Sequence, residues 1–186
     1  MYKRLIVCLS LSLLVCLSAC EGVDNISRDY RCYFVFDTEL HPLPCQLTGI
    51  LGNPGQFCKI ESSSSGGIRL LKTTRNYDGA KETVRLTTAK ENQVAYALGA
   101  NNSIIIGTSS YDNMLVAYDG QCPNCLADYS GISYPLSWQK SGLQLYCAKC
   151  QRAYDANNGV IASGSGGRSL MVYKVGLYGF VLTAGN

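Results

Sequence analysis

Apolar and polar positions alternate over most of the chain, in short bursts that stop at glycine, proline or asparagine. CYFVFDT, Cys32 to Thr38, is β-branched and aromatic, and it predicts a strand ended by Asp37. HPLP, His41 to Pro44, breaks the pattern, because two prolines in four residues cannot join a central ladder. NPG, Asn53 to Gly55, predicts a turn before the alternating QFCKIE, and SSSSGG, Ser62 to Gly67, predicts a loop tip. IRLLKTTR and ETVRLTT predict short strands, QVAYALG a strand or helical turn, and SIIIGT a buried strand after the NN turn. MLVAYD leads straight into GQCPNC, and QLYC into CAKC. GVIASGS, SLMVYKVG and GFVLTAG close the chain as strands, the last two as a hairpin across Gly176 to Gly179. No repeat and no long helical period interrupts this, so the expected class is all-β.

The first 28 residues differ. Lys3 and Arg4 precede an apolar run, Leu5 to Leu17, of 13 residues. A membrane-spanning helix needs about 20 apolar residues, so this run predicts the core of a secretory signal instead. It ends in LSAC, Leu17 to Cys20, which resembles a bacterial lipobox. The resemblance implies cleavage before Cys20 and a diacylglycerol on its sulfur. Residues 1–19 are then a lipoprotein signal peptide, and residues 20–28 a lipidated cysteine and polar tether. The expected location is the bacterial cell envelope, membrane-anchored, on a periplasmic or outer-membrane face.

Composition narrows the rest. The formal charge of +3 falls to +1 once Lys3 and Arg4 leave with the signal, and no basic stripe asks for nucleic acid. About 165 residues remain, enough for one domain, expected at 29–186. Nineteen glycines and thirteen tyrosines favour strands and turns. Of ten cysteines, seven belong to that domain: Cys32, Cys45, Cys58, Cys122, Cys125, Cys147 and Cys150. An odd number cannot all pair within one chain, even in an oxidising compartment. Cys32, Cys45 and Cys58 read as buried small apolar residues, with a Cys45–Cys58 bridge as the alternative.

The chemistry lies in CPNC and CAKC, with 21 residues between Cys125 and Cys147. Two residues between thiols let the chain turn so that both sulfurs face one centre, and two such knuckles make a tetrahedral four-sulfur site. Cys122, Cys125, Cys147 and Cys150 are therefore the expected metal ligands. The ligand set suits zinc and iron alike, and a pair of disulfides or a thiol–disulfide couple would use the same residues. No catalytic constellation is expected. The lone His41, read as a solvated turn residue, would have to serve it, and Asp119, Asp128 and Asp155 fit turns and hairpin ends.

From Asn113 to Asn186 the chain resembles a Rieske iron–sulfur domain. That family carries C-x-H after a strand, then C-x-x-H-G-x-x-[FY]-D-x-x-x-G, a glycine-rich turn and two closing strands. Cys122 and Cys147 stand at the two cysteines, Cys150 at the second histidine, and Tyr154, Asp155 and Gly159 fall in register. Asn124 occupies the first histidine position, with Cys125 one residue later, and Gln151 replaces the glycine. The resemblance implies a Rieske-like multi-sheet β domain with a knuckle subdomain at about 119–165, and Cys₄ in place of Cys₂His₂. A Cys₄-ligated [2Fe–2S] cluster or a mononuclear iron would make it an electron carrier with a redox partner. Clusters are normally assembled in the cytoplasm, and Lys3-Arg4 is no twin-arginine signal for export of a folded holoprotein. Zinc binds after export and contributes directly to folding, giving a non-enzymatic binding or interaction module that could meet an envelope protein. Tyr129, Tyr134, Pro135 and Trp138, between the knuckles, are its candidate contacts, Trp138 being expected against the sheet.

Overall fold

A computed structural model describes residues 25–186. The signal, the lipobox and Cys20 lie outside the described residues. The described residues form thirteen strands. They are β1 Cys32–Asp37, β2 Gln56–Ser65, β3 Ile68–Arg75, β4 Lys81–Leu86, β5 Ala97–Leu98, β6 Ser103–Thr108 and β7 Leu115–Asp119, followed by β8 Leu136–Gln139, β9 Gln144–Cys147, β10 Ala153–Asp155, β11 Ile161–Ser163, β12 Val172–Tyr178 and β13 Val181–Gly185. The helices α1 Gln46–Gly49 and α2 Ala89–Asn92 are single turns, and α3 Pro123–Asp128 has six residues. The chain is mostly β, as the alternation predicts.

Nine strands form one sheet in the order β4-β3-β2-β6-β7-β12-β13-β1-β5, and β11-β10-β9-β8 form a second. Every ladder between them is antiparallel. The small sheet arises from the chain between β7 and β12, which pair directly, Ala117 opposite Tyr173. It is thus an excursion out of the large sheet that returns to the same place.

β6 is buried at all six positions because it serves two cores. Ile104 and Ile106 lie opposite Ile60 and Cys58 and join the larger core with Phe34, Phe36, Leu71 and Leu182. Ile105, on the other face, joins Phe57 and Tyr118 in a second core with Leu136, Leu145, Tyr154 and three of the knuckle cysteines. The period of two in β-strands makes this division.

Several local expectations change. Ser62 to Ser65 continue β2 and pair with Leu71 to Ile68, and Gly66 and Gly67, at φ +58° and +75°, make the hairpin turn. Two glycines in the left-handed region are what a tight hairpin needs, so the serines extend the strand instead of forming the tip. Gly176 lies inside β12, opposite Thr183, and the closing turn is at Gly179 and Phe180. QVAYALG contributes only the two residues of β5, after an α2 whose Thr88–Glu91 capping box ends the preceding strand pattern. Ile26 and Ser27, expected in the tether, bridge to Val172, with a 2.8 Å bond from the Ser27 N–H to the Val172 carbonyl. His41 is not solvated. Its ring stacks on Phe36 at 5.1 Å and its Nε2 lies 2.6 Å from Glu91 Oε1, so it ties the proline loop to α2.

Candidate metal centre

β7 ends at Asp119, whose carboxylate organises the start of the first knuckle. Oδ1 accepts from the Gln121 N–H at 2.8 Å, and Oδ2 from the Ala100 N–H and the Tyr173 hydroxyl, both at 2.7 Å. Burial raises its pKa above the usual carboxylate value, against the pull of those three donors. Asp119 is a structural hub at a hairpin end, with all its bonds facing backbone and tyrosine. Asp155 accepts from the Asn157 N–H at 2.7 Å and from the Tyr111 hydroxyl, also as a turn residue.

Cys122 is the N-cap of α3 and Pro123 its first residue, where the missing N–H costs nothing. One helical turn then brings Cys125 round beside Cys122. The Cys122 N–H donates to the Tyr134 carbonyl at 2.9 Å, which fixes the knuckle to the approach of β8. The second knuckle starts at the end of β9. The Gln151 N–H reaches back to the Cys147 carbonyl at 2.8 Å, and the Cys147 N–H takes the Arg152 carbonyl at 2.9 Å. This closed turn needs a left-handed residue after its last cysteine, and Gln151 supplies it at φ +59°. That is the position where the Rieske pattern has glycine, the residue for which this conformation is cheapest.

The folding brings all four expected ligands together. Their sulfurs lie within 4.8 Å of one another, and they could hold a metal ion. The closest contacts cross between knuckles: Cys122 to Cys150 and Cys125 to Cys147, both 3.6 Å. A tetrahedral ion with sulfur at ~2.3 Å has edges of about 3.8 Å, so the cage has single-ion dimensions. Cys122, Cys125 and Cys147 are buried and Cys150 is half-buried. Burial pushes the Cys122 thiol up to about 11, and it raises Cys125 too. Burial acts the same way on Cys150, but the neighbouring Arg152, with Cys122 and Cys125, outweighs it and holds that thiol at about 7. An ion would supply the missing positive charge to all four.

The remaining three cysteines are thiols in the large core. Burial pushes Cys32 and Cys58 up to about 12 and raises Cys45 as well, so none is poised to react. The Cys45–Cys58 bridge is not formed.

Three contributors were not singled out for these roles by sequence reasoning. Asn124 donates to the Tyr154 hydroxyl and the Arg168 carbonyl, both at 2.8 Å, and accepts from the Arg168 N–H at 2.9 Å. It clasps the 164–168 segment over the knuckles. Gly167 makes room for it, since a Cβ there would stand 2.2 Å from Asn124 Oδ1. The Tyr154 hydroxyl, satisfied as an acceptor by Asn124, lies 3.2 Å from Cys122 Sγ with its own proton free for the sulfur. Arg152 holds the same segment through the Ser165 and Gly166 carbonyls, each at 3.0 Å. The run SGSGG was the available signal, because clustered glycines mark a close backbone approach.

Between the knuckles, Tyr129 and Tyr134 pack at 6.1 Å and Lys149 Nζ lies 4.6 Å over the Tyr129 ring, joining the two cysteine turns. Trp138 is half-buried 6.3 Å from Phe57, against the large sheet. Tyr129, Ile132 and Pro135 are exposed. Compared with known proteins, the chain matches no family model, no curated protein and no solved structure.

Proposed function

We propose that this chain is a lipid-anchored protein of the bacterial cell envelope, with a Rieske-like β domain that uses its four cysteines to hold one structural zinc ion. In this reading it is a non-enzymatic binding or interaction module. The ion fastens the two cysteine turns together, and the exposed Tyr129, Ile132 and Pro135 between them can meet an envelope protein. The observation that carries the reading is the sulfur cage: four thiols within 4.8 Å, three of them buried. Thiols raised by burial are poor ligands until an ion deprotonates them, and that coupling makes metal binding contribute to folding.

The same cage supports a second reading, a single iron in a rubredoxin-like centre serving an electron-transfer partner. Its particular support is the donor to sulfur at the Tyr154 hydroxyl, since such bonds tune iron–thiolate potentials. A [2Fe–2S] cluster fits less well. It divides its four thiolates between two irons and would require the sulfur pairs to move apart.

Metal analysis of membrane-extracted protein, with an absorption spectrum, tests this. The expected result is one zinc per chain, no visible colour and Cys122, Cys125, Cys147 and Cys150 protected from alkylation. One iron with thiolate charge-transfer bands would replace zinc by the second reading. No metal and two disulfides would sink both. Intact mass reads the diacylglyceryl group at Cys20 independently.

A further inference from the structure

The outer face of β12, β13 and β1 is uncovered, and its chemistry suits a bilayer surface. Register puts Lys174, Gly176 and Tyr178 of β12 on one side with Gly185, Thr183 and Val181 of β13 and with Tyr33, Val35 and Asp37 of β1. A cavity of about 730 Å³ opens beside Lys174, Gly185 and Tyr33, while the Tyr178 ring lies over Gly176. Among the described residues its charged lining residues are Arg28 and Lys174, and none of those lining it is acidic. Asp37, at the far end of the face, accepts turn hydrogen bonds from the Glu39 and Leu40 N–H groups. Tyr33 and Tyr178 are 45% and 65% exposed, and Phe180 in the hairpin turn is 62% exposed. Exposed tyrosines with arginine and lysine are the residue types that favour the boundary between headgroups and acyl chains.

The first described residues lie beside this face and next to the first knuckle. Ile26 pairs with Val172 at the start of β12, and Asn186 Nδ2 donates to the Ser27 and Tyr30 carbonyls at 2.8 and 2.7 Å. Five peptide links separate Cys20 from Asn25, a reach of at most about 18 Å. A lipid on Cys20 therefore keeps this face close to the membrane.

We propose that the β12–β13–β1 face docks flat on an anionic bilayer, with Arg28 and Lys174 at lipid phosphates and Tyr33, Tyr178 and Phe180 at the headgroup boundary. The proposal rests on the anchored reading above and adds an orientation to it. Val172, two residues before Lys174 on the same face of β12, packs on the second core, so the docking face and the four-sulfur sheet share one side of the large sheet.

The test is lysine acylation of the mature protein on vesicles, read residue by residue by mass spectrometry. Lys174 should react at least about fivefold more slowly on phosphatidylglycerol vesicles than on phosphatidylcholine vesicles, while Lys59, Lys81 and Lys140 react equally on both. Arg28→Glu and Tyr178→Ser, both at exposed positions, should each restore Lys174 reactivity. Equal Lys174 rates on both vesicles would overturn the proposal. So would protection that follows protein concentration instead of lipid charge, which would put a second copy on this face. If intact mass shows no acyl group at Cys20, the anchored reading fails by itself. Flotation with phosphatidylglycerol vesicles then decides the docking proposal, with retention expected to fall in the Arg28→Glu, Lys174→Glu double variant and its absence in the parent protein counting against it.

Discussion

Asn124 sits inside the first knuckle without ligating, and its amide is occupied three ways, by Tyr154 and by both backbone groups of Arg168. Asn124→Ala leaves those partners with only water. The expected cost is about 1–2 kcal/mol of stability, with zinc release to a chromogenic chelator about tenfold faster. Unchanged release would mean that the 164–168 segment does not guard the site. Cys150 makes a second residue-level case. It alone of the site thiols with a resolved shift is held low, at about 7, while Cys122 is pushed up to about 11. A thiol with a lower pKa carries more thiolate at neutral pH, and the thiolate is the nucleophile. In metal-free reduced protein, iodoacetamide should label Cys150 first, with a rate that rises through pH 7 and falls away below it. In zinc-loaded protein that labelling should vanish. Labelling of Cys122 ahead of Cys150 would show that the surroundings of Cys150 do not hold its thiol low.

At the scale of elements, the legible strands are those whose own residues carry the pattern. β1, β3, β4, β6, β7 and β13 stand close to where alternation and β-branching predict them. The serine end of β2 was not legible, because Ser62 to Ser65 have no apolar signal and are extended only by pairing with β3. The pairing of β7 with β12 was not legible either. A ladder between residues more than fifty positions apart leaves no local trace. The cysteine cage was readable for the opposite reason, since each knuckle is four residues long and self-contained. Its clasp was not, because Asn124 and Arg168 lie 44 residues apart. The interface between the two sheets can be tested directly. Gly107 of β6 stands where a Cβ would meet Phe57 Cδ1 at 2.2 Å and the Gln56 carbonyl oxygen at 2.5 Å. Neither can yield freely, as Phe57 is fully buried in the second core and the carbonyl is backbone. Gly107→Ala should therefore destabilise the fold by about 1–3 kcal/mol, seen as a lower urea midpoint at unchanged slope. A neutral result would mean that the two layers have slack.

The whole molecule is two cores divided by one sheet, and on the proposed zinc reading they would depend on metal unequally. The larger contains eighteen buried residues drawn from strands of the nine-stranded sheet and the segments packed on it, and no site sulfur among them. The smaller contains eleven, three of which are site cysteines. Structural zinc contributes about 10–16 kcal/mol in small zinc-binding peptides, as much as the whole stability of an ordinary domain. Removing it should therefore exceed what the smaller core can offset. The larger core keeps its apolar packing and antiparallel ladders whether or not the ion is bound. Chelation under reducing conditions should then open β8–β11 and the two knuckles selectively. Hydrogen exchange should speed up across 120–170, while the amides of β1, β2, β6 and β13 stay protected. Thermal unfolding should split into an early, zinc-sensitive step and a later, zinc-independent one. The shared strands make this a demanding test, since Phe57, Ile105 and Tyr118 lose their cover when the small sheet opens. A single unfolding step that moves as a whole with zinc would make the ion a keystone of the entire fold. No response to chelation would remove it from the stability of the protein altogether.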